Sequence, residues 1–273
     1  MSLSILNSIS SLTAENALSS TQASLQKTLT ELSTGLKINS GSDDAAGLAI
    51  ANGLGANISA LSQSSQNASD NVGLLQTADG ALSQVTSLLN RAVTLATEAS
   101  NGGLSTSQST ALDTEYQSIL SEITQIGSTT NFNGTQVFSA TPLTTFTSDG
   151  TTGGTTSLST TIGALSSTTL SLNTTDLTSA SDAATALTAI SAAVSSVAAT
   201  RGAVGAAVNQ LNADVNVENT EVTNLTSAQN SIQNADIGQT VASMTQFNVL
   251  QQTGMAALSQ SNQAQQAVLK LLQ

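Results

Sequence analysis

The sequence predicts a mainly α fold: a long antiparallel helical rod, or coiled-coil bundle, with both chain ends paired. A small β-hairpin region and a short Ser/Thr-rich insert complete it. Three observations carry this expectation. Apolar residues recur every three or four positions over long stretches on both sides of the chain's middle. Aromatics make up 2% of the 273 residues and Trp is absent, so a core must be built from Leu, Ile, Val and Ala. Such small side chains suit closely spaced helices. The single Pro stands in the middle, inside a stretch dominated by Thr, Ser and Gly.

Taken in order, the first helix carries Leu18, Gln22, Leu25, Leu29, Leu32 and Leu36, stepping by four and three. "NSGS" (39–42) interrupts it, and Asp43 and Asp44 then stand where carboxylates complement a helix start. From Leu54 the steps run through Ile58, Leu61, Ser65, Ala68, Val72, Leu75, Asp79, Leu82, Thr86, Leu89 and Val93 to Ala96. That is the 3.5-residue repeat of a coiled-coil stripe. A helix of ~55 residues is about 80 Å long at 1.5 Å per residue. "SNGG" (100–103) stops it. A shorter helix follows, with Leu112, Tyr116, Ile119, Ile123 and Ile126 on one stripe.

"NFNGTQVF" (131–138) reads as a hairpin turn, because Asn-Gly accepts positive φ. The stretch 139–178 reads as a surface insert with short strands or hairpins. Helical order returns with Leu187, Ile190, Val194, Val197, Arg201, Val204, Val208, Leu211, Val215, Glu218, Val222, Leu225, Gln229 and Ile232. After "NADIG" (234–238) the last stripe holds Phe247, Leu250, Gly254, Ala257, Ser261, Ala264, Val268 and Leu271. Two long helices joined by a compact middle run antiparallel, so both ends meet at one end of the rod.

Composition also excludes functions. Seventeen acidic residues against five basic ones give a net charge of -12. So few cations cannot neutralise a phosphate backbone, which excludes nucleic acid, or adhere to an anionic bilayer. No apolar run is read as approaching the ~20 residues of a membrane helix, so no membrane insertion is expected. The N-terminus lacks a basic stretch before its apolar residues and is not an ordinary secretory signal. Without His or Cys, zinc sites of those ligands and His-based triads are impossible. No enzyme activity, cofactor or metal is expected.

The two terminal segments are rich in Ser, Asn and Gln, which hold helices poorly. A lone pair of such helices buries too little to offset the ordering of its residues. The expected outcome is folding on assembly with other copies of the chain. The candidate packing residues between copies are Leu25, Leu29, Leu32, Phe247, Leu250, Val268 and Leu271.

Several longer stretches resemble the bacterial flagellin family. They are "LTELSTGLKINSGSDDAAGLAIANGL" (29–54), "NASDNVGLLQTADGAL" (67–82), "TNFNG" (130–134), "RGAVGAAVNQL" (201–211) and "SAQNSIQNADIG" (227–238), followed by the tail to the closing "LLQ". The resemblance covers about 1–138 and 180–273. It implies an extracellular filament subunit for motility, with an inner polymerisation domain made of 1–40 and 238–273. A rod domain would be made of 41–138 and 179–237, and 139–178 would be a short variable insert. It also implies export without a cleaved signal, through the flagellar export apparatus and with an export chaperone, and contact with hook-associated and cap proteins. The epitope by which a host Toll-like receptor senses flagellins maps onto Arg91, Leu95 and Glu115. Val93 and Thr94 depart from the charged residues common beside that epitope. The plain alternative is a solvated Arg91–Glu115 pair, with Leu95 as packing.

Other readings share the architecture. A hook–filament junction protein has related terminal motifs. A secreted adhesin or immune-active binding module would use the insert as its contact. An enzyme on this scaffold would need catalytic groups in the insert, whose only acids are Asp149 and Asp176.

Overall fold

The structure, a computed structural model, describes residues 9–148 and 157–271. It is mainly α. The element order is α1 (Ile9–Thr34), α2 (Ala45–Ala99), α3 (Thr106–Thr129), β1 (Asn131–Phe132), β2 (Thr135–Gln136), β3 (Leu143–Phe146), β4 (Ser157–Thr160), α4 (Ala180–Gln233) and α5 (Ile237–Leu271). Asp149 lies outside the described residues. The chain forms two compact units, 1–56 with 225–273 and 57–224. We refer to them as the terminal and the middle unit.

The middle unit holds the core. Leu61, Ala68, Leu75, Leu82 and Leu89 of α2 are all buried, a seven-residue track that the sequence pattern identifies. The second track is offset by one residue from the sequence reading. Ser64, Ala78, Val85, Ala92 and Ala99 are buried, whereas Ser65, Val72, Asp79, Thr86 and Val93 are only half-buried. In α4, likewise, Ala186, Ala193 and Ala207 are buried and Leu187, Val194 and Val208 are half-buried. At Ala92 and at these three alanines of α4 the buried position takes the small side chain, and the larger residue beside it packs at the margin. In α4 a stripe read from hydrophobicity chooses the larger residue and slips by one, whereas in α2 the slip at Ser65, Asp79 and Thr86 comes from carrying the three-four step through polar positions.

One ion pair joins α2 to α4 at the margin of this core, half exposed. Arg201 Nε donates to Asp79 Oδ1 at 2.8 Å and its Nη2 to Oδ2 at 3.3 Å. The guanidinium holds the Asp79 carboxyl below its ordinary range. Opposite charges at matching stripe positions of α2 and α4 fix their register. By length and composition α4 could cross a membrane, since one window reaches a mean hydropathy of 1.5. This differs from the sequence reading, because Ala and Val between small polar residues raise the mean without forming an unbroken apolar run. The buried face of α4 belongs to the protein core.

Short elements close the unit. Ser105 caps α3 through a reciprocal pair of bonds with Gln108. Tyr116, Ile119, Leu120 and Ile123 then enter the core. Asn133 (φ 50°) and Gly134 (φ 79°) form the tight turn between β1 and β2, as Asn-Gly requires.

The stretch 139–178 is not wholly superficial. β3 and β4 pair antiparallel, from Leu143 with Thr160 to Phe146 with Ser157. Beyond them Leu165, Leu172 and Leu177 are buried in the core. Thr175 Oγ1 pairs with the Tyr116 hydroxyl at 2.5 Å. The Leu177 amide donates to Asp113 Oδ1 at 2.9 Å. Burying each leucine is worth about 1.5–3 kcal/mol. Ser and Thr between these leucines hide their role from a compositional reading.

Candidate functional site

In the terminal unit α1 packs on α5. Their contact is more polar than the sequence stripes imply. On α1 the inward residues are Ser11, Ala14, Leu18, Thr21, Leu25, Thr28 and Leu32. On α5 they include Thr240, Met244, Phe247, Gln251, Gly254, Leu258 and Ser261. Ser11 and Ser261 pair through their hydroxyls at 2.9 Å. A Cβ at Gly254 would lie 3.4 Å from Leu18 Cδ1, so the helices approach closely there.

The threonines explain this arrangement. Thr21, Thr28 and Thr240 each return the hydroxyl proton to the carbonyl four residues back, of Ala17, Ser24 and Asp236. A hydroxyl satisfied within its own helix is buried at small cost. Thr28 and Thr240 are 4% and 6% exposed. The inward face can therefore be built without the largest apolar residues, and those point elsewhere.

Of the candidate packing residues, Leu25, Leu32 and Phe247 are half-buried between the helices. Leu29 is 43% exposed and Leu250 is 45% exposed. The side chains of Val268 and Leu271 lie outside the described residues. The sequence reading thus merged two faces into one stripe. Among the described residues, every exposed large hydrophobic except Phe146 and Val217 belongs to the terminal unit. The others are Ile9, Leu12, Leu29, Ile50, Ile237, Val241, Val249, Leu250 and Met255. Among the described residues its buried apolar side chains are only Ile38 and Ala51.

The link between α1 and α2 is tied by backbone to the end of α4 and the link that follows it. Leu36 bridges Asn234, the Lys37 amide donates to the Gln233 carbonyl, and the Ala235 amide to the Gly35 carbonyl. Asp43 does not cap α2. Its Oδ2 accepts from the amides of Asn39 and Ser40, and Lys27 lies 3.1 Å from Oδ1. Lys27 and these bonds lower its pKa to about 2. Asp44 does the capping, accepting from the Gly47 amide at 2.9 Å.

In the middle unit Arg91 and Glu115 form an exposed ion pair at 2.8 Å between α2 and α3. Leu95 is 1% exposed and belongs to the core, so the structure brings only Arg91 and Glu115 together at the surface. Among the described residues no group of three or more Asp, Glu, His or Cys is placed to hold a metal. Sequence reasoning places Glu218 on the α4 stripe but gives it no role. It is an acid on a core track of α4, and that position is the signal that could have assigned one.

Two family models match the chain. One describes the bacterial flagellin N-terminal helical region and covers residues 5–142. The other describes the flagellin C-terminal helical region and covers 187–272. The chain is 45% identical over 130 residues to a flagellin of Serratia marcescens, a match over 48% of this chain and 37% of that one. It is 42% identical over 129 residues to flagellin 1 of Proteus mirabilis, over 47% and 35%. To a phase 1 flagellin of Salmonella naestved it is 44% identical over 133 residues, over 49% and 26%. The matches thus span well under half the length of these relatives. The crystal structure of Bacillus cereus flagellin is similar at a TM-score of 0.50 and 26% identity, over 56% of this chain and 88% of that one.

Proposed function

This chain belongs to the bacterial flagellin family, and from that premise we propose that it is a structural subunit that polymerises into an extracellular flagellar filament. One observation carries the reading. Among the described residues the terminal unit has almost no apolar interior of its own, yet displays most of the exposed large hydrophobics. Their distribution favours a polymer over a closed pair. Val241 and Leu250 are nine residues apart and so project about half a turn apart on α5. A helix apolar on several sides is one covered by several neighbours.

The inner polymerisation part is 1–40 with 238–273, and 41–138 with 179–237 forms the rod domain. Export through the flagellar apparatus with a chaperone, and contact with hook-associated and cap proteins, belong to the same reading. The test is direct. Purified chain mixed with short filament seeds should lengthen them under the electron microscope. Soluble chain that leaves seed length unchanged at high concentration would overturn the proposal.

For receptor sensing, the surface pair Arg91 and Glu115 is the contact and Leu95 supports it from beneath. Arg91→Ala should reduce receptor signalling by soluble chain several-fold. Thermal unfolding should stay nearly unchanged, since an exposed pair is worth roughly 0–1 kcal/mol. Undiminished signalling would count against this assignment.

A further inference from the structure

We propose that Glu218 stays a neutral acid where exposed carboxyls have ionised, and that its proton clasps the β3–β4 hairpin to α2 and α4. The inference rests on counting protons. Ser64 is 1% exposed and Glu218 is 5% exposed. Ser64 Oγ lies 2.6 Å from Glu218 Oε1 and 2.9 Å from the Phe146 carbonyl oxygen. A serine hydroxyl has one proton to donate. A carboxylate and a carbonyl both only accept, so an ionised Glu218 leaves Ser64 one proton for two acceptors. If Glu218 is protonated, all three groups are satisfied in sequence. Its O–H donates to Ser64 Oγ, and Ser64 donates to the Phe146 carbonyl. The second oxygen, Oε2, is buried without a hydrogen-bond partner. That is tolerable for a neutral carboxyl oxygen and costly for half of a charge.

The surroundings favour the neutral form. Glu218 borders a cleft of about 360 Å³. The charged groups facing it among the described residues are Asp214 and Glu221, both acidic and both on α4. The cleft takes Leu61 from α2, near Ser64, and Thr147, Ser148, Ser157 and Leu158 from the hairpin side, none of them a cation. Burial raises the Glu218 pKa above its ordinary value, the Ser64 bond lowers it, and Asp214 and Glu221 raise it further. A raised carboxyl stabilises the folded form below its unfolded value and loses that contribution as pH climbs through the folded one.

Deprotonation sends the proton to solvent and turns the Ser64 hydroxyl toward the carboxylate. The Phe146 carbonyl then loses the Ser64 hydroxyl. Phe146 pairs with Ser157 at the loop end of the hairpin, so that end opens. Asn71 Nδ2 still donates to Thr145 Oγ1 at 2.7 Å, and acts as the hinge.

Infrared spectroscopy and amide exchange on the full chain test this. The carbonyl band of a protonated carboxyl should persist in the wild type above the pH at which the exposed glutamates ionise. It should be missing in Glu218→Gln. Protection of hairpin amides, corrected for intrinsic exchange, should fall by up to about tenfold per pH unit above the band's midpoint. In Glu218→Gln it should stay constant, because the amide still donates to Ser64. The wild-type band titration stands whether or not the variant folds. Absence of the band overturns the clasp, as does identical pH dependence in both proteins. Protection restored at high pH by millimolar calcium would also overturn it, since the cleft would then hold a cation instead of a proton.

Discussion

Replacing Leu250 by Asp is expected to abolish filament growth while leaving the soluble chain's helicity and unfolding midpoint nearly unchanged. In one chain the Leu250 side chain is 45% exposed, so a carboxylate there remains hydrated. In the proposed filament the same position is to be covered by a neighbour, where an unpaired buried charge costs several kcal/mol. The cost recurs at every subunit, so growth fails outright. Gln266, exposed on another side of α5, provides a control of equal charge. Gln266→Glu should elongate seeds far better than Leu250→Asp. Seeds that grow equally well with both variants would show that the exposed apolar residues of α5 are not contacts between copies.

Gly127→Ala is expected to destabilise the middle unit by about 3 kcal/mol, near the upper end for overpacking. Gly127 is buried in α3 and a Cβ there would fall on the backbone carbonyl of Leu165. Backbone cannot swing aside as the end of a long side chain can. Gly80, in α2, offers the opposite case, since nothing lies within 4 Å of a Cβ there. Gly80→Ala should stabilise by roughly 0.5–1 kcal/mol, because alanine holds a helix better than glycine. Denaturant midpoints of the two variants should therefore move in opposite directions. A neutral Gly127→Ala would mean that the 165–177 segment does not pack tightly against α3.

How much of this was legible in the sequence depends on what each residue's neighbours demand. The track Leu61, Leu75, Leu82 and Leu89 was readable because large side chains repeat with the helix period. Its companion was not, because the buried position belongs to Ala78, Ala92 and Ala99, which carry little hydrophobic signal. Asn133-Gly134 announced its turn, since local backbone strain leaves few alternatives. The α1–α5 contact was misread because Thr28 and Thr240 satisfy their hydroxyls inside their own helices and are buried like apolar residues. Leu29 and Leu250 are apolar in pattern, yet nothing in a pattern says which neighbour covers them. Asp43 and Asp44 look alike in sequence, and only the positions of Lys27 and Gly47 separate their roles.

The contact between Ser11 and Ser261 joins positions 250 residues apart. Such a pairing has consequences in time as well as in space. The middle unit draws on one continuous stretch and can form while later residues are still being made. The terminal unit cannot, because α1 has no α5 to meet until nearly the whole chain exists. Contacts of long sequence separation also carry the largest loop-closure entropy and form late. On the proposed reading, competence to polymerise is thereby tied to synthesis of the chain through α5. A prematurely terminated chain would have a folded middle and a lone α1, and would be unable to complete the surface on which another copy adds.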